Sequence, residues 1–333
     1  MKVKVIGHDG VNFSSAPSNN PWSAFFKVFE RFDIKLVDND DGQKFDALIA
    51  NTHSKKVIRE CKKLGISKNK RILILWEPKE INGKLYRSST LGAYGHIFTP
   101  SRDWIQGHKI HEFRWPQGKA GKKTEGDKDW LKRKHKFVFI GSNKYSISKG
   151  EFYSLRRFIL RNPNLLSYID LFGHSWNSNL SHDFKSVLSS ISKTKLNDYS
   201  LKSISLFARK YYNYQGISED KFKTLKDYKF ALVIENSNNY VSEKLFEALE
   251  SQCIVLYIGA NLKKYFNKDM AFQSEASSEI ISKKIEKLIN SSESEQLTIM
   301  KKQRREYLAN NKEWENFRVL KKLALNSIKL LDF

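Results

Sequence analysis

The sequence predicts an α/β protein with two doubly wound domains, each built on a parallel sheet between helices. Short apolar runs typical of buried strands alternate with amphipathic helical patterns along most of the chain. The length of 333 residues favours two domains over one. We therefore place a first domain at 1–118, a basic linker at 119–136, a second domain at 137–300 and a C-terminal helical segment at 301–333.

Strands and helices alternate in order through the first domain. Strands are predicted at 3–6, 35–37, 45–50, 71–76 and 96–100, and helices at 21–32 and 53–64. The polar segment 8–20 is interpreted as a loop at the carboxyl end of the first strand. Asp38–Gly42 contains a metal-binding Asp-x-Asp pattern, but Asn, Asp and Gly are also the residues that turns need. We interpret this cluster as a turn.

Glu77 directly follows the apolar strand 71–76 of the first domain. A carboxylate held where the strands of a domain open on a cleft can act as a general base. The alternative is a structural carboxylate that pairs with a nearby lysine. Position alone leaves both roles open.

The second domain begins with a strand at 137–142, which leads through a polar loop into a helix that contains Phe152 and Tyr153. Lys149 stands near the start of this helix, where a cation reinforces the attraction of the helix N-terminus for anions. A further strand is predicted at 169–173, a polar loop with one or two short helices at 174–227, and core-packing helices at 276–330.

The stretch 228–260 is predicted to form a strand, a polar loop, a helix and a second strand. Phe230–Ile234 and Ile254–Ile258 are near-continuous apolar runs, the pattern of parallel strands buried on both faces. Ser242 is a favoured N-cap residue for the helix between them. Ligands of such units bind beyond the carboxyl ends of the strands, where this chain carries the polar segment 235–240.

Glu243 and Lys244 follow in the first turn of this helix. The free N–H groups of a helix N-terminus attract anions, and a lysine adds a full positive charge. The alternative is that Glu243 only complements the helix dipole and that Lys244 is solvated. The six consecutive polar residues at the end of the preceding strand favour a ligand site.

The formal net charge of +23 indicates an anionic partner: nucleic acid, acidic lipid headgroups, an anionic glycan or a sugar nucleotide. The alternative is a lysine-rich surface that only keeps the protein soluble. Basic clusters at 118–123 and 132–136 are either a patch for an acidic acceptor or headgroups, or a solvated linker. A nucleic-acid-binding protein is the alternative from another functional class, but zinc-finger spacing, an RNP motif and a Gly-x-x-Gly clamp do not occur where such a protein would need them.

Cys61 and Cys253 lack metal-ligand spacing and are interpreted as buried apolar residues in a reducing compartment. The N-terminus has no apolar region typical of a signal peptide, and no apolar run approaches the length of a membrane span. We therefore expect a cytoplasmic protein, with peripheral attachment to the inner face of the membrane as an option.

The stretch 228–260 resembles the donor-binding motif of the α-1,3/4-fucosyltransferases of glycosyltransferase family 10. The residues that carry this resemblance are Glu235-Asn236-Ser237, Tyr240–Leu249 and Ile254–Ala260. The neighbourhoods of Glu77 and Lys149 match more loosely. The resemblance implies the GT-B fold, in which two Rossmann-like domains face a cleft. It also implies an inverting enzyme that moves fucose from GDP-fucose to a hydroxyl of a lipopolysaccharide or another surface glycan. Transfer of another nucleotide-activated sugar by the same fold is the alternative.

The resemblance also implies roles for individual residues. Glu77 would be the catalytic base, and Lys244 and Lys149 would bind the donor diphosphate in place of a metal ion. Family members carry an arginine at the position of Lys149, and lysine supplies the charge without the bidentate fork. Asn236 and Tyr240 would line the phosphate and sugar site, and Glu243 would bind the ribose hydroxyls. Ser237 would also belong to the donor-binding site. No cofactor and no specific nucleic-acid partner are implied.

Overall fold

The computed structural model describes residues 1–7, 23–38, 42–118, 120–121, 125–146, 148–176, 211–239, 241–266 and 270–331. The chain divides into two compact units. Unit 1 comprises Met1–Ala120 together with Asn311–Phe333, and unit 2 comprises Gly121–Asn310. Each unit contains a six-stranded sheet with flanking helices, so the predicted fold class of two parallel α/β domains with C-terminal helices is confirmed.

The sheet of unit 1 has the strand order β2-β1-β3-β4-β5-β6, and all of its pairs are parallel. Its strands are β1 (Lys2–Ile6), β2 (Lys35–Val37), β3 (Ala47–Ala50), β4 (Arg71–Ile74), β5 (His96–Thr99) and β6 (Ile110–Glu112). Its helices are α1 (Ser23–Glu30), α2 (Lys55–Lys63), α3 (Ser88–Leu91) and, after unit 2, α10 (Asn316–Leu330).

Two apolar cores form the interior of unit 1. One core joins Phe25 and Phe29 of α1 to Leu320, Leu323 and other buried residues of α10. The other core packs Val57, Ile58 and Cys61 of α2 against buried strand residues. The helix pattern of each segment places its apolar side chains on one face, which is the face that packs. Residues 316–330 therefore complete a core that begins near the N-terminus.

The sheet of unit 2 has the strand order β12-β11-β10-β7-β8-β9 and is also parallel. Its strands are β7 (Lys134–Ile140), β8 (Ile169–Phe172), β9 (Tyr214–Gly216), β10 (Tyr228–Ile234), β11 (Ile254–Ile258) and β12 (Phe272–Gln273). Every residue of β10 and β11 is buried, as expected for central parallel strands. Its helices are α4 (Asp127–Leu131), α5 (Tyr153–Ile159), α6 (Lys221–Lys226), α7 (Glu243–Glu250), α8 (Ser278–Ile289) and α9 (Glu293–Asn310).

The basic range 119–136 contains regular structure. It includes α4 and the first three residues of β7. Trp130 of α4 is buried, and its indole N–H donates a hydrogen bond to the carbonyl of Gln252 at 2.8 Å. The C-terminal range 301–333 contributes to both units, because α9 ends in unit 2 and α10 lies in unit 1.

Both cysteines are buried and free. Residues 39–41 of the Asp38–Gly42 cluster lie outside the described residues. Among the helices that the structure describes, none is long and apolar enough to cross a membrane.

Candidate functional site

The strand order of unit 2 reverses between β7 and β10. Connections from these two strands therefore run to opposite sides of the sheet, and the crevice beyond their carboxyl ends is where ligands bind in such folds. β7 ends at Ile140 and β10 ends at Ile234. The polar segments that follow them meet at this edge. We call the described residues 148–152, 235–239 and 241–244 the switch-point site.

Glu235 is the first residue after β10 and has no exposed surface. Its two carboxylate oxygens accept hydrogen bonds from the backbone N–H and the hydroxyl of Ser242, both at 2.7 Å. Lys244 Nζ lies 3.5 Å from Glu235 Oε2. Burial raises the pKa of Glu235, although Lys244 and the bonds from Ser242 oppose that shift. A buried carboxylate thus ties the strand end to the first turn of α7.

Lys244 is held in place by this network. Its Nζ donates to the hydroxyl of Ser242 at 3.0 Å, while 19% of the side chain remains exposed. Ser242 is also the N-cap of α7, accepting the backbone N–H of Lys244 at 3.4 Å. The ammonium group of Lys244 is therefore fixed at a helix N-terminus, not solvated as in the alternative interpretation.

Glu243 lies beside Lys244 in the first turn of α7. Burial opposes its ionisation, but Lys244, its own backbone N–H, Lys221 and Arg156 together hold its pKa below the ordinary value. The side chain is therefore an anionic hydrogen-bond acceptor at neutral pH, which is the state required to bind hydroxyl groups.

The segment 148–152 runs beside the segment that follows β10. The backbone N–H of Phe152 donates to the carbonyl of Asn236 at 3.0 Å, and Glu151 pairs with Ser237 in an antiparallel bridge. Ser237 is buried, and its hydroxyl has no hydrogen-bond partner among the described residues. These contacts set the two segments side by side.

A tight approach at Gly150 brings Lys149 to the same edge. The backbone N–H of Asn238 donates to the carbonyl of Gly150 at 3.3 Å, and Gly150 has a φ of +92°. A Cβ at this position would lie 3.3 Å from Asn238 Oδ1, so both the backbone conformation and the space favour glycine. Lys149, the preceding residue, is exposed and pairs with no carboxylate among the described residues.

Arg156 of α5 was not predicted as a site residue. It is buried, and its Nη2 donates to the carbonyl of Ile234 at 2.7 Å and to Asn236 Oδ1 at 2.8 Å. Its Nε has no hydrogen-bond partner in the part of the chain that the structure describes. The signal in the sequence is a charged residue on an apolar helix stripe, since Phe152 stands four residues before it and Ile159 three residues after it. A guanidinium is thus fixed directly behind the switch-point site.

Glu77 lies in unit 1, three residues after β4. Its carbonyl accepts the hydroxyl of Tyr86 at 2.7 Å. Burial, then the carboxylates of Glu80 and Glu77, raise the pKa of Tyr86, so its hydroxyl stays protonated and able to donate. The ring of the preceding Trp76 contacts Trp115 edge to face, with centroids 5.0 Å apart. The backbone that carries Glu77 is therefore fixed on both sides.

The structure brings together most of the predicted donor-binding residues. Five of the seven predicted site residues lie at the switch-point site: Lys149, Asn236, Ser237, Glu243 and Lys244. Glu77 lies in the other unit, and Tyr240 lies outside the described residues. No group of three His, Cys, Asp or Glu side chains within the described part of the chain is arranged to hold a metal ion.

We expect Ser242→Ala to lower the free energy of unfolding by about 2 kcal/mol, because it removes a helix cap and a hydrogen bond to a buried carboxylate. Urea denaturation would measure this loss. The matched control is Ser277→Ala, which removes the N-cap of α8. Among the described residues, the hydroxyl of Ser277 accepts only the backbone N–H of Ile280, at 3.5 Å. Its loss should be no more than about 1 kcal/mol. Equal losses would contradict the additional role of Ser242 toward Glu235.

No protein-family model matches the chain, and no curated protein sequence matches it. Solved structures do match. An α1,3-fucosyltransferase has a TM-score of 0.56 at 13% identity, covering 100% of this chain and 90% of its own. The Anabaena protein HepE, in complex with UDP and glucose, has a TM-score of 0.54 at 10% identity, covering 98% and 99%. A DNA-modifying β-glucosyltransferase, studied with and without uridine diphosphoglucose, has a TM-score of 0.52 at 13% identity, covering 100% of both chains. These neighbours are GT-B glycosyltransferases, and at such identities the likeness shows the fold: the chain has the GT-B fold with two Rossmann-like domains.

Proposed function

We propose that this protein is an inverting glycosyltransferase that transfers fucose from GDP-fucose to a hydroxyl of a glycan acceptor in an α-1,3 linkage. The observation that carries the proposal is the switch-point site, where Lys244 is held at the N-terminus of α7 by Ser242 and the buried Glu235. A diphosphate is the kind of ligand that such a lysine and helix N-terminus bind. The same residues match the donor motif of the family 10 fucosyltransferases.

Donor binding is assigned to the switch-point site. Lys244, Lys149 and the N–H groups of α7 bind the diphosphate, and the buried Arg156 adds positive charge behind them. Glu243 accepts hydrogen bonds from the ribose hydroxyls, in agreement with its lowered pKa. Asn236, Ser237 and Tyr240 line the phosphate and sugar.

Glu77 is assigned to the chemical step. Its carboxylate removes the proton of the acceptor hydroxyl as that oxygen attacks the anomeric carbon. The C–O bond to GDP breaks on the opposite face, which inverts the configuration. Lys244 and Lys149 offset the charge that develops on the leaving diphosphate, and the reaction then needs neither a metal ion nor another cofactor.

The acceptor is proposed to be a bacterial-type lipopolysaccharide or another surface glycan. The net charge of +23 supports an anionic acceptor or an anionic membrane surface as partner. Specific nucleic-acid binding is not part of the proposal, because the polar network around Glu235 is accounted for by a small anionic ligand.

Transfer of another nucleotide-activated sugar is the second candidate. Two of the structural neighbours were solved with UDP and glucose or with uridine diphosphoglucose. The lysine at position 149, where the fucosyltransferase family has an arginine, also favours a change in the donor pocket.

Calorimetric titration with GDP, GDP-fucose, UDP and UDP-glucose, with and without magnesium, tests both candidates. We expect the guanine nucleotides to bind at least about tenfold more tightly than the uridine nucleotides, since each 1.4 kcal/mol of discrimination is tenfold. We expect the same affinity without magnesium. A preference for UDP-glucose would replace the first candidate with the second, and no binding of any nucleotide would overturn both.

A further inference from the structure

Unit 1 contains a cavity of about 690 Å³ between α2 and the segment 82–93. Three cations of α2 line one wall: Lys55, Arg59 and Lys62. Its lining also includes Lys68 and Arg71, near the start of β4, and Lys84 and Arg87 of the segment 82–93. No carboxylate is among its lining residues. We call this feature the cationic cavity.

Six cations of this cavity are exposed, namely Lys55, Arg59, Lys62, Lys68, Lys84 and Arg87. None of the six forms an ion pair with a carboxylate among the described residues, whereas many other surface cations do, such as Lys221 with Glu247 at 3.2 Å. The one acidic residue of α2, Glu60, contacts Lys4 of β1 at 3.0 Å instead. Positive charge is therefore concentrated around a concave surface and left to solvent ions or to a ligand.

Among the cations of the cavity, buried Arg71 gives the strongest indication of an anionic ligand. Only 5% of it is exposed, and its guanidinium donates to the carbonyls of Ala93, at 3.3 Å, and Ile66. Among the described residues, its Nε has no hydrogen-bond partner and no carboxylate pairs with it. A buried charge compensated only by carbonyl dipoles is costly, and an anion within the cavity would supply the missing counter-charge.

The other side chains of the cavity indicate the chemical class of the anion. Thr52, Asn82, Ser89 and Thr90 offer hydroxyl and amide groups that can bind sugar hydroxyls. No Phe, Tyr or Trp lines the walls, so the stacking surfaces that single-stranded nucleic acids use are absent from the lining. The volume is that of a site for a small organic ligand.

We propose that the cationic cavity binds an acidic saccharide, with its carboxylate or phosphate groups on the cations and its hydroxyls on the neutral polar side chains. We take this saccharide to be part of the acceptor, and that identification rests on the proposed function. The wall formed by 82–93 belongs to the same segment as Glu77, whose carbonyl accepts the hydroxyl of Tyr86. The cavity would thus bind the acceptor at a distance from its reacting hydroxyl.

The test is a calorimetric titration of the full chain with a galacturonate hexamer, a phosphorylated mannose pentamer and neutral maltohexaose, at about 0.15 M salt to screen non-specific attraction. We expect at least one acidic saccharide to bind and maltohexaose not to bind. The pair of acidic probes distinguishes a carboxylate from a phosphate ligand. The double variant Lys55→Ala/Arg59→Ala should bind the acidic saccharide at least about tenfold more weakly, the effect of one lost charge-assisted hydrogen bond.

The matched control is Lys321→Ala/Lys322→Ala, which removes the same charge from exposed helical positions of α10. Its affinity should change less than about twofold, since only long-range attraction is lost. Equal losses in the two double variants would show that net charge alone binds the saccharide and would overturn the proposal. Tighter binding of a uridine oligonucleotide that depends on Lys55 and Arg59 would also overturn it.

Titration with GDP separates this inference from the proposed function. The variant Lys55→Ala/Arg59→Ala should keep the wild-type affinity for GDP, because neither residue belongs to the switch-point site. Binding of GDP without binding of either acidic saccharide would overturn the cavity assignment alone. Binding of an acidic saccharide through Lys55 and Arg59 without binding of any nucleotide would overturn the proposed function and support the cavity as an anion site.

Discussion

Glu77→Gln should lower the rate of fucose transfer by about 10² to 10⁴ and leave nucleotide binding unchanged. Glutamine has nearly the same shape as glutamate but cannot accept the proton of the acceptor hydroxyl, so the proposed general base is lost. General-base catalysis contributes about 10² to 10⁴ in rate, and we expect a loss of that size in kcat. The measurement is transfer of labelled fucose from GDP-fucose to a bacterial surface-glycan preparation, alongside calorimetric titration with GDP.

Glu80→Gln is the control for this experiment. Glu80 is a second carboxylate of the same segment, so its replacement makes the same change in local charge. We expect its kcat to stay within about threefold of the wild type, as for a side chain that only contributes to the local electrostatic field. Wild-type turnover by Glu77→Gln would remove Glu77 from the mechanism, and an equal loss in both variants would assign the effect to charge instead of proton transfer.

Lys244→Ala should weaken GDP binding by about 10- to 100-fold, the effect of losing a charge-assisted hydrogen bond to the diphosphate. It should also lower the free energy of unfolding by about 1–3 kcal/mol, because the buried Glu235 loses the cation that lies 3.5 Å from its carboxylate. Titration with GDP and urea denaturation measure the two effects separately. Unchanged GDP affinity would contradict the diphosphate role.

The stability loss in Lys244→Ala should depend on pH in a defined direction. Burial already raises the pKa of Glu235 above its value in the unfolded chain. When the pKa of a carboxyl group is higher in the folded state than in the unfolded chain, the free energy of unfolding falls as pH rises from the unfolded pKa through the folded pKa. Removal of Lys244, whose charge opposes that shift, raises the folded pKa further. The difference in stability from the wild type should therefore be larger at about pH 8 than at about pH 5.

Lys283→Ala provides the matched control for the pH series. Lys283 pairs with Glu279 at 2.6 Å on the surface of α8, where both side chains are exposed. Exposed pairs contribute little to stability, so the free energy of unfolding of this variant should match that of the wild type at each pH of the series. A difference for Lys244→Ala that is constant across the pH series would contradict the coupling of Lys244 to Glu235.

Local pattern was sufficient to predict the centre of unit 2. Phe230–Ile234 and Ile254–Ile258 lie within or coincide with β10 and β11, because central parallel strands are apolar on both faces and leave an unbroken run in the sequence. The N-cap role of Ser242 was also predictable, since it depends on a few adjacent residues. The short strands β6, β9 and β12 were not predicted, because each contains a single apolar residue. The equally short β2 was predicted at 35–37, where two apolar residues stand together.

Arg156 shows what local pattern could not predict. Its partners Ile234 and Asn236 are 78 and 80 residues away along the chain, and they meet it only because β7 and β10 are adjacent in the sheet. A charged residue on an apolar stripe marks a position of interest, but only the fold identifies what it contacts. The cationic cavity depends in the same way on packing between segments, since its cations come from three parts of the sequence.

The return of α10 to unit 1 sets an order of events during synthesis on the ribosome. Unit 2 is a single continuous stretch, so all of its strands are available once residue 310 has emerged. Unit 1 is discontinuous, because the whole of unit 2, about 190 residues, is synthesised between Ala120 and Asn311. Phe25 and Phe29 of α1 can pack against α10 only after that stretch has been made. The core of unit 1 therefore remains incomplete during the synthesis of unit 2.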